Sequence, residues 1–185
     1  MGTVAVLDDG QGGVRDSLAP GQSGRAQLVL HSAVGAWHGD RVVLRDAAAT
    51  RAVAGGTVLD PLAPVRYRRT PQRLAELSAL QQPGAADRLR ALLACAPQGV
   101  NLQAFAAAQG LAGPDSLLPA VPEGALLQQD GQGTAALGPA QRQQLADAVT
   151  AALARFHQAH EEELGPDAAR LRRLACPRLA DGLWR

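Results

Sequence analysis

Lysine is absent from this chain: all 18 basic residues are arginine, set against 17 acidic residues for a formal net charge of +1. That absence removes the residue that reaches the β- and γ-phosphates in a phosphate loop, and no G-x-x-x-x-G-K-[ST] run occurs in the sequence. The near-neutral balance gives no whole-molecule field that would announce a nucleic-acid or membrane partner, so only local charge is informative. The uniform arginine usage, beside so much Ala, Gly and Pro, is as readily a codon bias as a chemical choice. Aromatic residues are only 3% of the chain while hydrophobic residues are 46%. Alanine and leucine must therefore fill the interior, which favours small, closely packed helices.

Cysteine is almost missing too. Cys95 and Cys176 stand alone and far apart, which fits neither a CxxC metal knuckle nor a disulfide framework and points to a reducing, cytoplasmic setting. The N-terminus lacks a basic stretch followed by an apolar one, and nothing approaches the roughly 20 apolar residues of a membrane-spanning helix. A soluble protein is expected, with no membrane partner. At 185 residues the chain can form one or two compact units but not one large enzyme core.

What is present divides in two. From Thr3 to Pro61 the pattern predicts short strands at Thr3–Leu7, Arg25–Leu30, Arg41–Arg45 and Thr57–Leu59, each β-branched or alternating and bounded by Gly, Asp or Pro. Turn residues crowd Asp8–Gly13 and Leu18–Gly24, so residues 1–64 read as antiparallel strands, too few to close a barrel alone. The open strand edge is an aggregation liability, from which we expect that further sequence precedes Met1.

After Pro64 the composition turns to helix formers. Residues 65–70 are an arginine-rich linker; Thr70 caps a helix opened by Pro71, with Leu74, Leu77 and Leu80 on one face. Leu89, Leu92 and Leu93 stripe a second helix ending before Pro97, and Asn101 caps a third that Gly110 stops. A short piece at Asp115–Leu118 follows, then Ala125–Gln129 and Thr134–Leu137 around the turn Asp130–Gly133. That order, within residues 71–138, is the winged-helix pattern. Pro139 opens the longest helix, running to about His160, and residues 139–185 read as the start of a second winged-helix unit that stops short. The predicted fold class is thus β plus α, a partial antiparallel β-barrel followed by winged-helix units.

Two stretches carry a family resemblance: Leu18-Ala-Pro-Gly21 with Ala26-Gln-Leu-Val-Leu30, and Gly39-Asp-Arg-Val-Val-Leu-Arg-Asp46 with Ala54-Gly-Gly-Thr-Val-Leu-Asp-Pro61. Together they resemble the end of the third domain of the SelB family of selenocysteine-specific translation elongation factors. The tail agrees, since Arg155-Phe-His-Gln-Ala-His160, Leu164-Gly-Pro166 and Arg170-Leu-Arg-Arg173 are similar to the start of a further winged-helix repeat in that family. Val42, Ala52 and Ala54 depart from the family's usual Phe, Thr and Gly. The last would cost roughly 1–2 kcal/mol if that glycine sat at positive φ. The resemblance implies a partial third-domain barrel and part of the winged-helix tail, in a chain that should not bind or hydrolyse GTP. It implies RNA partners, the selenocysteinyl-tRNA and, through further C-terminal units, an mRNA hairpin.

Candidate sites are few. Arg66, Arg68, Arg69 and Arg73 form a run of positive charge with no acid between Val65 and Leu74, interrupted by Tyr67. This is the expected RNA-binding strap, because each phosphate neutralised adds affinity and salt sensitivity; the plain alternative is a solvated linker. Between Ala91 and Gln141 no basic residue occurs, and Pro119 cuts short the would-be recognition helix, so a structural spacer is expected there and no DNA partner. His157 and His160 are expected to be packing and capping residues, not metal ligands. His31 and His38 are isolated, and no nucleophile turn occurs, so no catalytic residue, metal or cofactor is expected. The rival from another class is a winged-helix transcription regulator with a β-rich sensing domain, whose mark would be arginines in the third helix or the wing.

Overall fold

The structure, a computed structural model, describes residues 1–10, 13–131, 133–177, 179 and 181–184. Parts of the expected turns at Asp8–Gly13 and Asp130–Gly133 lie outside these. The chain forms two compact units, one of Met1–Gln81 with Ala107–Leu111 and one of Gln82–Ala106 with Ala112–Arg185.

In the first unit β1 (Gly2–Asp8) pairs antiparallel with β2 (Arg25–Leu30), and β3 (Arg41–Arg45) with β4 (Ala52–Thr57). These are two separate two-stranded sheets, and no closed barrel forms among the described residues. The register of β1 slips between Val6 and Asp8. That bulge explains why two consecutive residues, Leu7 and Asp8, are both buried, since a regular strand would turn one of them outward. The fourth strand lies earlier than the predicted Thr57–Leu59. Its glycines and alanines hide the alternation, and pairing with β3 fixes its position instead. Ala54 sits in this strand opposite Leu44, and it is not among the residues at positive φ, so its replacement of glycine carries no backbone cost.

Helix α1 (Pro71–Leu80) is capped as its sequence predicts, with the Thr70 hydroxyl accepting from the Arg73 N–H at 3.2 Å. It belongs to the first unit, burying Leu77, Ala79 and Leu80. Arg25, on β2, donates to the Leu74 carbonyl at 3.1 Å and to Ser78 Oγ at 2.8 Å. The sequence grouped this helix with the winged helix across a linker at 65–70; here both linker and helix lie within the first compact unit.

The second unit starts with α2 (Ala85–Cys95), followed by β5 (Val100–Asn101), α3 (Leu102–Ala108, whose last two residues group with the first unit), a 3-10 helix (Pro114–Ala120), β6 (Leu126–Asp130) and β7 (Gly133–Leu137). The antiparallel sheet has the order β5-β7-β6, which with the preceding helices is winged-helix topology. Its core is leucine and alanine, with Leu89, Leu93, Leu102, Ala106, Leu117, Ala136 and Leu137 almost fully buried. Pro139 then opens α4 (Pro139–Ala159). Gly138 is required there, because a Cβ would lie 2.0 Å from the Leu93 carbonyl oxygen. Two helices follow, α5 (Ala168–Ala175) and α6 (Asp181–Trp184). Leu179 and Leu183 join Leu137 in one buried cluster, backed by Leu126 and Leu145, so the tail covers the wing sheet. Gly99, at φ +76°, lets Leu183 in: a Cβ there would meet Leu183 Cδ1 at 2.6 Å.

Candidate nucleic-acid interface

The arginine run divides when it folds. Arg73 points inward from α1, is buried, and pairs with Asp60 at 2.5 Å and Glu76 at 3.3 Å. Its guanidinium fastens the helix to the loop after β4 and is not open to a phosphate. Arg69 donates to the Val6 carbonyl from Nε at 3.1 Å and from Nη2 at 2.7 Å, and pairs with Asp16 at 2.7 Å. It ties the linker to β1 while remaining part exposed.

Arg66 and Arg68 are different. Among the described residues neither makes an ion pair, and Arg66 is exposed. Between them Tyr67 adopts φ 61°, a left-handed conformation uncommon for a bulky residue, and its side chain is 63% exposed. The chain reverses locally here, with Thr70 N–H donating to the Tyr67 carbonyl at 3.3 Å. An exposed aromatic between an exposed and a half-buried arginine can stack on a base while a guanidinium beside it meets a backbone phosphate.

A second basic surface went unpredicted. On β3, Arg41, Val43 and Arg45 share one face by the period-two rule, and across from them stand Thr57 and Gly55. Val43 is 68% exposed and all of β4 is exposed. Arg45 donates to the carbonyl of Ala49, at 3.3 Å, and Arg41 has no ion pair among the described residues. Gly55, opposite Val43, leaves a low backbone surface beside the arginines, which admits close approach of another chain. The signal for it was the Arg-x-Val-x-Arg alternation.

In the winged helix the position of a recognition helix is taken by the seven-residue 3-10 helix with Pro119 inside it and Asp115 in its first turn. No arginine stands on it, on β6 or on β7. His160 caps α4, its N–H donating to the Phe156 carbonyl at 2.9 Å, and its ring lies 4.6 Å from that of Phe156. Among the described residues no cluster of three or more His, Cys, Asp or Glu could hold a metal, and no helix is long and apolar enough to cross a membrane.

Comparison with known proteins places both ends of the chain. Residues 1–65 match the family model for the β-barrel domain of selenocysteine-specific elongation factor. Residues 150–185 match that for a winged helix of elongation factor SelB. The chain is 34% identical over 158 residues to the selenocysteine-specific elongation factor of Escherichia coli (strain K12), an alignment covering 82% of this chain. It spans only 24% of the length of that relative.

Proposed function

Because this chain belongs to the selenocysteine-specific elongation factors, from a barrel segment at one end to a winged helix at the other, we propose that it contributes RNA binding and spacing in selenocysteine incorporation. It carries no GTPase chemistry of its own, needs no cofactor, and works in the cytoplasm. Its first part, residues 1–64 with the linker at 65–70 and α1, presents arginines to the selenocysteinyl-tRNA. The first winged helix and the start of the second link that body to units that grip an mRNA hairpin. A winged helix whose recognition position is a proline-broken 3-10 helix suits spacing better than duplex reading, and the rival transcription-regulator reading lacks the arginines it needs there.

The observation that carries the RNA reading is Arg66, exposed, and Arg68, half-buried, on either side of the exposed Tyr67, neither arginine in an ion pair among the described residues. Replacing both with Gln should weaken tRNA binding and flatten the slope of log affinity against log salt by roughly 0.7–0.9 for each phosphate no longer neutralised. Sequence preference should hardly change, because phosphate binding positions a protein without reading bases. Filter binding across a salt series measures this. Unchanged affinity and slope in the double variant would reduce the segment to a plain linker.

A further inference from the structure

Where α4 meets α5, a cleft of about 280 Å³ is lined by Ala152, Arg155, Phe156, Ala159, His160, Arg170 and Leu174. The Arg170 guanidinium lies over the Phe156 ring, 4.6 Å from its centroid, and is held at its edge by Glu163 at 3.4 Å. Phe156 is buried beneath it, while the Arg170 side chain remains 42% exposed. The result is a fixed cationic plane with one covered face and one open face. Beside it Arg155 is exposed and, among the described residues, makes no ion pair. Glu163 also lies 3.3 Å from His160 Nδ1, so this one carboxylate is shared between the imidazole and Arg170 while Arg155 stands beside it. Leu174, half exposed, and the methyl groups of Ala152 and Ala159 supply an apolar wall.

A bare phosphate would leave that wall and the flat cation unused, and an aliphatic carboxylate has no face to lay on the plane. The volume falls just below the roughly 300–1,000 Å³ of sites for drug-sized ligands, which suits one planar ring with one anionic group. We propose that this cleft is a subsite for a single unpaired RNA nucleotide, its base stacked on the Arg170 guanidinium and its phosphate on Arg155. Unpaired bases are commonly held on arginine planes in this way, whereas a duplex keeps its bases out of reach. That the ligand is RNA rests on the family reading above; the preference for a planar anion rests on the cleft alone.

The test follows the ring signals of His157 and His160 and the guanidinium signal of Arg170 by NMR in the full chain. Adenosine monophosphate should shift His160 and Arg170 saturably, adenosine more weakly, and inorganic phosphate hardly at all. A single-stranded RNA hexamer should bind better than a duplex of equal length. R170K keeps the charge and the partner Glu163 but loses the plane, so it should weaken the hexamer on the order of tenfold with thermal stability kept. R155Q should flatten the salt slope by about 0.7. Shifts with phosphate equal to those with the nucleotide, or equally tight binding of a glutamate-rich hexapeptide, would overturn the proposal. Absence of nucleotide shifts overturns it even if RNA still binds through Arg66 and Arg68, which leaves the family reading standing. Nucleotide shifts with no binding of any RNA would sink the RNA assignment in both.

Discussion

Substituting Asp8 with Asn should cost the first unit about 3 kcal/mol, and the reasoning starts from its burial. Asp8 is fully buried, at 0% exposure, at the bulge of β1. It accepts from Arg25 Nε at 2.9 and 3.0 Å and from Nη2 at 2.5 Å, and from the Gly10 N–H at 2.8 Å. Arg25 is itself buried and passes its remaining hydrogen bonds to α1. Breaking a buried pair by removing one charge leaves the other uncompensated, at roughly 3–5 kcal/mol. Asn retains one carbonyl acceptor, hence the lower end. For a unit of this size that is a fall of roughly 12–24 °C in melting temperature. Trp37 lies in the first unit and Trp184 in the second, so fluorescence in a W184F background reads the first unit alone. Acid dependence supplies an independent check. Burial pushes the Asp8 pKa up, but hydrogen bonds from Arg25 and Gly10 and the guanidinium charge outweigh it, so the carboxyl titrates below its ordinary value. A folded pKa lower than the unfolded one stabilises fully above about pH 4 and is lost as pH falls through the folded value. D8N should therefore show a shallower loss of stability on acidification than the parent. A cost below about 1 kcal/mol, or an unchanged acid slope, would refute the view that this pair joins β1 and β2 to α1.

Three further outcomes follow from the same geometry. R73Q should lower the melting temperature of the first unit by removing the partner of Asp60 while leaving the RNA salt slope unchanged, whereas the R66Q/R68Q double variant should do the reverse, with stability within about 0.5 kcal/mol; calorimetry and filter binding separate them. L183D should detach the tail from the wing sheet, because a charge would replace a side chain only 5% exposed beside Leu137 and Leu179; loss of hydrogen-exchange protection in β7 is the readout. GTP with magnesium should give no heat of binding by titration calorimetry, since the sequence holds neither a phosphate loop nor a lysine, and micromolar affinity would contradict that.

Local chemistry was legible in this sequence and long-range pairing was not. Thr70, Asn101 and Pro139 marked helix starts where helices start, because a cap acts on backbone groups two or three residues away. The winged-helix order was readable for the same reason, from leucine spacing and turn residues. The strand β4 was misplaced because two glycines and two alanines carry no alternation, and its register is set by β3. The basic strap shows the limit most directly. Four arginines without an intervening acid look equally open along the chain, yet the acids that pair with two of them lie elsewhere, Asp16 for Arg69 and Asp60 for Arg73. Ion pairing depends on distance in space, so a charge run fixes only how many cations a segment carries, not how many stay open. The same holds for Arg170, whose stacking partner Phe156 comes from another helix. The two arginines of the run that make no ion pair among the described residues flank the aromatic at positive φ, where the chain reverses. Arg25 and Arg73, both buried and paired with acids, serve the fold.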